Sequence, residues 1–89
     1  MSAFIITRIQ VGDYDTWRPM FDQDRPHARE TARSQRVFRG IDDPNLVFIQ
    51  LEFSSAKDAQ EAQRRLTESG VLDRFEDKHG PTIVLDADS

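Results

Sequence analysis

The stretch Leu46-Val47-Phe48-Ile49-Gln50-Leu51-Glu52-Phe53 alternates with a period of two. Val47, Ile49, Leu51 and Phe53 share one face, while Leu46 and Phe48 lead into Gln50 and Glu52 on the other. Alternation over this length marks a strand with one face in a core. Just before it, Asp42-Asp43-Pro44-Asn45 is a turn sequence: aspartate and asparagine bond their own backbone, and proline presets its φ. Residues 37–41 before the turn read as a short strand, with Arg36, Phe38 and Gly40 facing one way and Val37, Arg39 and Ile41 the other. The two segments predict an antiparallel hairpin.

Upstream, residues 3–11 repeat the pattern. Ala3, Ile5, Thr7, Ile9 and Val11 hold one parity, and Phe4, Ile6, Arg8 and Gln10 the other. Gly12-Asp13 turns the chain, and Asp13 or Asp15 is placed to cap a helix. Tyr14, Trp17, Met20 and Phe21 then recur at helical spacing. Pro19 predicts a helix starting just before it, because proline is best tolerated in a first turn. Pro26 predicts a break near Asp24 and Arg25, with Ala28 and Ala32 continuing an interrupted helical region over roughly 14–33. Downstream of the hairpin, Ser54 or Ser55 caps a helix carrying a narrow stripe of Ala56, Ala59, Ala62 and Leu66, which ends at Ser69-Gly70. Val71, Leu72 and Phe75 suggest one more helical turn. Residues 82–86, after Gly80-Pro81, form a last strand.

The order β-α-β-β-α-β is the ferredoxin-like plan, an α+β fold with a four-stranded antiparallel sheet and helices on one face. Residues 1–89 fit a single domain of this kind. A sheet with one helical layer should be polar on its other face. Here Phe4, Ile6, Phe38, Leu46 and Phe48 lie on that face, and the chain holds no third layer to cover them. A second copy is the expected cover, giving a homodimer through the sheet faces.

Composition narrows the classes further. The 89 residues include no cysteine, which removes disulfides, thiolate nucleophiles and cysteine-based metal sites, and suits a cytoplasmic setting. The formal net charge is −4, from 12 basic and 16 acidic residues. No long basic run is present, so no nucleic-acid partner is expected. Exposed Phe38 and Phe48 could otherwise serve a ferredoxin-like RNA-binding sheet. No stretch approaches a membrane span, and the N-terminus lacks the basic flank of a signal peptide.

The element order, the string Val11-Gly12-Asp13-Tyr14-Asp15-Thr16-Trp17-Arg18-Pro19-Met20-Phe21-Asp22, and Arg36-Val37-Phe38-Arg39-Gly40 leading into Asp42-Asp43-Pro44-Asn45 resemble the dimeric α/β-barrel superfamily. The likeness is to its antibiotic biosynthesis monooxygenase-like members, small bacterial proteins often labelled cyclase-like, and it covers nearly the whole chain. The resemblance implies two ferredoxin-like chains forming a barrel, each with an apolar pocket between helices and sheet. It implies chemistry ranging over metal- and flavin-free oxygenation of aromatic polyketides, cyclisation, lactone isomerisation and haem degradation. The paired asparagine and tryptophan of the better understood monooxygenases have no convincing counterpart here.

The residues themselves nominate a site. Tyr14, Trp17 and Phe21 are candidates for walling a small, partly aromatic ligand, and serve equally well as helix-to-sheet core. His27 and His79, the only histidines, are candidate general bases, because imidazole titrates near neutrality. A phenol or enol deprotonated by such a base can react directly with dioxygen, so no cofactor or metal is expected. Arg36 (substrate-binding) and Arg39 (catalytic) are candidates for holding a carboxylate or enolate. They have opposite parity, so only one is expected to reach a given pocket. The expected activity is that of a cofactor-independent monooxygenase or cyclase. The alternative is a non-catalytic ligand-binding or accessory homodimer.

Overall fold

The computed structural model describes residues 2–24 and 27–87. The elements run β1 Ala3–Gln10, α1 Tyr14–Asp22, β2 Ser34–Arg39, β3 Leu46–Phe53, α2 Ala56–Ser69 and β4 Lys78–Leu85. The strands form one antiparallel sheet in the order β2-β3-β1-β4, the ferredoxin-like arrangement expected. β1 is central: Ile5 faces Leu51 on one side and Ile83 on the other. Its inner parity, Ala3, Ile5, Thr7 and Ile9, is buried with Val47, Ile49, Leu51 and Phe53 of β3. The hairpin turn closes through Leu46 N–H to the Asp43 carbonyl at 3.0 Å, and Asp43 Oδ1 accepts from Asn45 N at 2.9 Å. β2 ends at Arg39, earlier than expected, because the turn begins at Gly40 and leaves Ile41 in solvent.

The two helices meet the sheet differently. α2 is capped by Ser55, whose hydroxyl accepts from Asp58 N, and ends on Gly70 in the left-handed region at φ 73°. Its buried residues are Ala59 and Ala62, and such small side chains let a helix approach closely. Its Cα atoms come within 8 Å of those of β1, β3 and β4. α1 is capped by Asp13, which accepts from Thr16 N and Oγ1. It buries Trp17, with half-buried Tyr14 and Phe21 beside it, and no Cα of α1 comes that close to a strand. Bulky rings hold α1 away from the sheet.

Other expectations are corrected. Pro19 lies inside α1, not in its first turn, because the Asp13 cap fixes the start at Tyr14. The helical region does not extend to residue 33: Asp24 at φ 45° and His27 at φ 56° are left-handed, which ends helical continuation, and residues 28–31 form turns. The break expected near Asp24 and Arg25 is seen at Asp24, and Arg25 lies outside the described residues. Finally, β4 begins at Lys78, four residues early. It runs through Gly80-Pro81 with a bulge, since Ile6 pairs with Thr82 and Arg8 with His79. β4 is an edge strand, where a proline without N–H is tolerated. The extra helical turn after Gly70 is a pair of tight turns, Asp73 N to the Gly70 carbonyl and Phe75 N to the Leu72 carbonyl.

Gly80 is required at the bulge. Its φ is 94°, and a Cβ there would sit 2.6 Å from the Ile6 carbonyl oxygen. Gly12, by contrast, has nothing within 4 Å of such a Cβ. Gly80→Ala should therefore lower unfolding stability by about 2 kcal/mol or more, read as a drop in the urea midpoint, whereas Gly12→Ala should move it by less than about 0.5 kcal/mol.

Candidate functional site

The stand-off of α1 leaves a partly enclosed cavity of about 110 Å³ between that helix, the sheet and the 71–75 segment. Ile9, Ile49 and Leu51 form the floor, and Leu66, Leu72 and Phe75 one wall. Trp17 and Phe21 form the opposite wall, stacked at 4.9 Å between ring centroids with an interplanar angle of 30°. Four polar residues join this apolar lining: Thr7, Asp24, Arg29 and Arg74.

Each polar group has a distinct setting. Thr7 sits mid-strand on the floor, is 4% exposed, and its hydroxyl has no hydrogen-bond partner among the described residues. Arg29 is the opposite case. Its Nε lies 3.3 Å from Asp24 Oδ1, its Nη1 donates to Gln35 Oε1 at 2.8 Å, and its Nη2 donates to the Phe21 carbonyl. The guanidinium also lies 3.9 Å from the centroid of the Phe21 ring, and Asp24 Oδ2 accepts from Arg29 N. Arg29 thus stitches the end of α1 to β2 and compensates Asp24. Arg74 is exposed at the rim, and among the described residues its only contact of this kind is a long one, 3.9 Å from Nη1 to Met20 Sδ.

Of the sequence candidates, Trp17 and Phe21 line the cavity, and Tyr14, His27, Arg36, Arg39 and His79 do not. Tyr14 packs against Trp17 at 5.7 Å, one turn from the cavity, and its hydroxyl accepts from Arg18 Nη1. Arg39 spans the Tyr14 ring at 4.0 Å, with Nε donating to the Pro44 carbonyl. His27 is exposed, with Nδ1 2.8 Å from Glu30 Oε1. Arg36 lies on the outer face of the sheet, its guanidinium 5.2 Å from the Phe38 ring centroid. His79 pairs with Arg8, whose parity is also outward, so the bulge sets that imidazole on the side of the sheet away from the cavity. Beside it, the Arg8 guanidinium 2.7 Å from Asp77 holds that carboxyl below its usual range. Thr7, Asp24, Arg29 and Arg74 were not among the sequence candidates. Thr7 was visible as the one polar member of an otherwise apolar strand parity, and Arg74 as the lone cation among Val71, Leu72 and Phe75.

The architecture recurs in solved structures. The chain superimposes on SnoaB, a cofactor-independent oxygenase from Streptomyces nogalater, with a TM-score of 0.73 and 12% identity, over 97% of this chain and 93% of that one. An assigned antibiotic biosynthesis monooxygenase from Nitrosomonas europaea gives 0.68 and 14%, over 97% and 90%. A NIPSNAP family protein from Agrobacterium tumefaciens gives 0.65 and 13%, over 99% and 95%. No family model and no curated protein matches the sequence. The chain therefore has the ferredoxin-like fold of the antibiotic biosynthesis monooxygenase-like structures. A shared fold does not by itself choose a reaction.

The Arg29 fork makes three separate connections that an ammonium group cannot reproduce together. Arg29→Lys should cost about 2 kcal/mol in chemical denaturation and should loosen the Trp17–Phe21 wall, read as a red shift in the emission of Trp17, the only tryptophan.

Proposed function

We propose that this chain binds a small aromatic molecule in the cavity beneath α1 and oxygenates it without a cofactor. The observation carrying this reading is the stacked Trp17–Phe21 wall facing an apolar floor that contains one unpartnered hydroxyl. Aromatic walls with few placed polar groups are the usual make-up of a small-molecule pocket. The volume sets the size class: an apolar cavity near 150 Å³ accepts benzene, so about 110 Å³ suits one ring or the edge of a larger molecule entering from the rim. An electron-rich phenol can itself reduce dioxygen. One oxygen atom enters the ring, the other leaves as water, and the phenol becomes a quinone, so the step needs no separate reductant. The pocket's part is to hold the ring, exclude bulk water and orient the reacting carbon.

A second reading, a ligand carrier without catalysis, is favoured by one observation: neither histidine lines the cavity, and its carboxylate, Asp24, is tied to Arg29. Oxygen uptake separates the two. With a hydroxylated naphthalene in air, the enzyme reading expects uptake of one dioxygen per quinone formed, falling at least about tenfold in Trp17→Ala. Quenching of Trp17 emission without uptake would instead establish the carrier.

We further propose that the functional unit is a homodimer through the outer face of the sheet. Ile6, Phe38 and Val84 are 36%, 42% and 38% exposed there, beside half-buried Phe4, Leu46 and Phe48. An apolar cluster on the uncovered side of an antiparallel sheet is characteristic of an interaction surface. Among the described residues no helix is long and apolar enough to cross a membrane, and a chain without cysteine suits the cytoplasm. Analytical ultracentrifugation should show a dimer that Ile6→Lys converts to monomer while retaining the native circular dichroism spectrum.

A further inference from the structure

The cavity's polar groups are distributed unevenly, and the distribution has a chemical meaning. The protein is acidic overall, at −4, yet the cavity lining carries two arginines and one aspartate, a balance of +1. Arg29 and Asp24 cancel each other at 3.3 Å and are mostly buried. The surplus charge is Arg74, which has no carboxylate partner among the described residues. Of the acidic neighbours in sequence, Asp73 pairs with Lys78 at 3.3 Å and Asp77 with Arg8 at 2.7 Å, while Glu76 makes no ion pair with Arg74. Asp13, in the adjoining cleft that also includes Arg74, is occupied capping α1. An uncompensated guanidinium at the mouth of an apolar cavity attracts an anion against the net field of the protein. At the floor, Thr7 lines the cavity, and its hydroxyl has no partner among the described residues, so its donor and acceptor capacity is open to a group in the cavity. Thr7 also sits at the bulge, where β1 and β4 lose their regular pairing. Between the two polar positions the walls are rings and aliphatic side chains.

We infer that the cavity selects a monocyclic aromatic acid, with its carboxylate at the Arg74 rim and a hydroxyl or carbonyl group on the far side of the ring bonded to Thr7. This deepens the proposed function and rests on its assignment of the cavity as the ligand site. Charge at the rim fixes which end of the ring enters last, and the hydroxyl fixes how the ring is turned. Together they make the pocket directional.

The test uses three probes, 4-hydroxybenzoate, its methyl ester and benzoate, titrated against Trp17 fluorescence and checked by calorimetry. The wild-type chain should bind the acid at least about tenfold more tightly than the ester, with the preference falling as salt rises. Arg74→Gln should bring the acid to the level of the ester and leave the ester unchanged. Thr7→Val should bring 4-hydroxybenzoate to the level of benzoate and leave benzoate unchanged, and Thr7→Ser should keep the wild-type order. Arg74 is on the surface, so its variant keeps the test decisive even if Thr7→Val is unstable. Ester binding as tight as acid binding, or selectivity that survives Arg74→Gln, would overturn the selection of an acid and leave the cavity as an aromatic site. Failure of all three probes to bind would overturn both this inference and the ligand-site reading beneath it.

Discussion

β1 is hydrogen-bonded on both edges, to β3 along its whole length and to β4 on the other side, so its register cannot change alone. A slip of one residue would drive Phe4, Ile6 and Arg8 toward the helices and expel Ile5, Thr7 and Ile9. The core, the cavity floor and the apolar outer face are all consequences of that one parity. It also decides which groups face the cavity: Thr7 does, and Arg8 does not.

The second constraint is the size of the side chains beneath each helix. Alanines under α2 allow close approach. Trp17 and Phe21 under α1 keep its backbone at a distance, and the gap between rings and sheet is the cavity. Arg29 fixes this separation by bonding the end of α1 and the edge of β2 at once. The pocket thus follows from an asymmetry of residue volume between two helices of similar amphipathic design.

Strand alternation, the Ser55 and Gly70 caps and the alanine stripe were legible because each is a local signal. The turns over residues 27–33 were not, because they depend on the left-handed backbone of His27 and on side-chain bonds from Arg29 to Phe21 and Gln35 that no periodic pattern encodes. The site divided along the same line. Trp17 and Phe21 could be found from helical spacing. His79 could not be placed, since a bulge at Gly80 decides its side of the sheet, and bulges have no period. Arg36 and Arg39 were rightly set on opposite faces by parity, yet neither lines the cavity: one lies on the far face, and the other is held over Tyr14. Arg74 stands at the rim only because two tight turns after Gly70 bring its segment back over the sheet.

The two outer strands bear on how copies of this chain can meet. A four-stranded open sheet has two free edges, each an invitation to add another strand. β4 carries Pro81 and a bulge, which remove a donor and twist the edge. β2 is short and carries Arg36 and Arg39, which make an unfavourable neighbour for a like-charged copy. With both edges guarded, growth by strand addition is disfavoured, and the broad face is left as the surface the proposed dimer would use. Pairing through a face consumes the surface it uses, so it ends at a closed assembly, whereas pairing through edges would continue into a fibre.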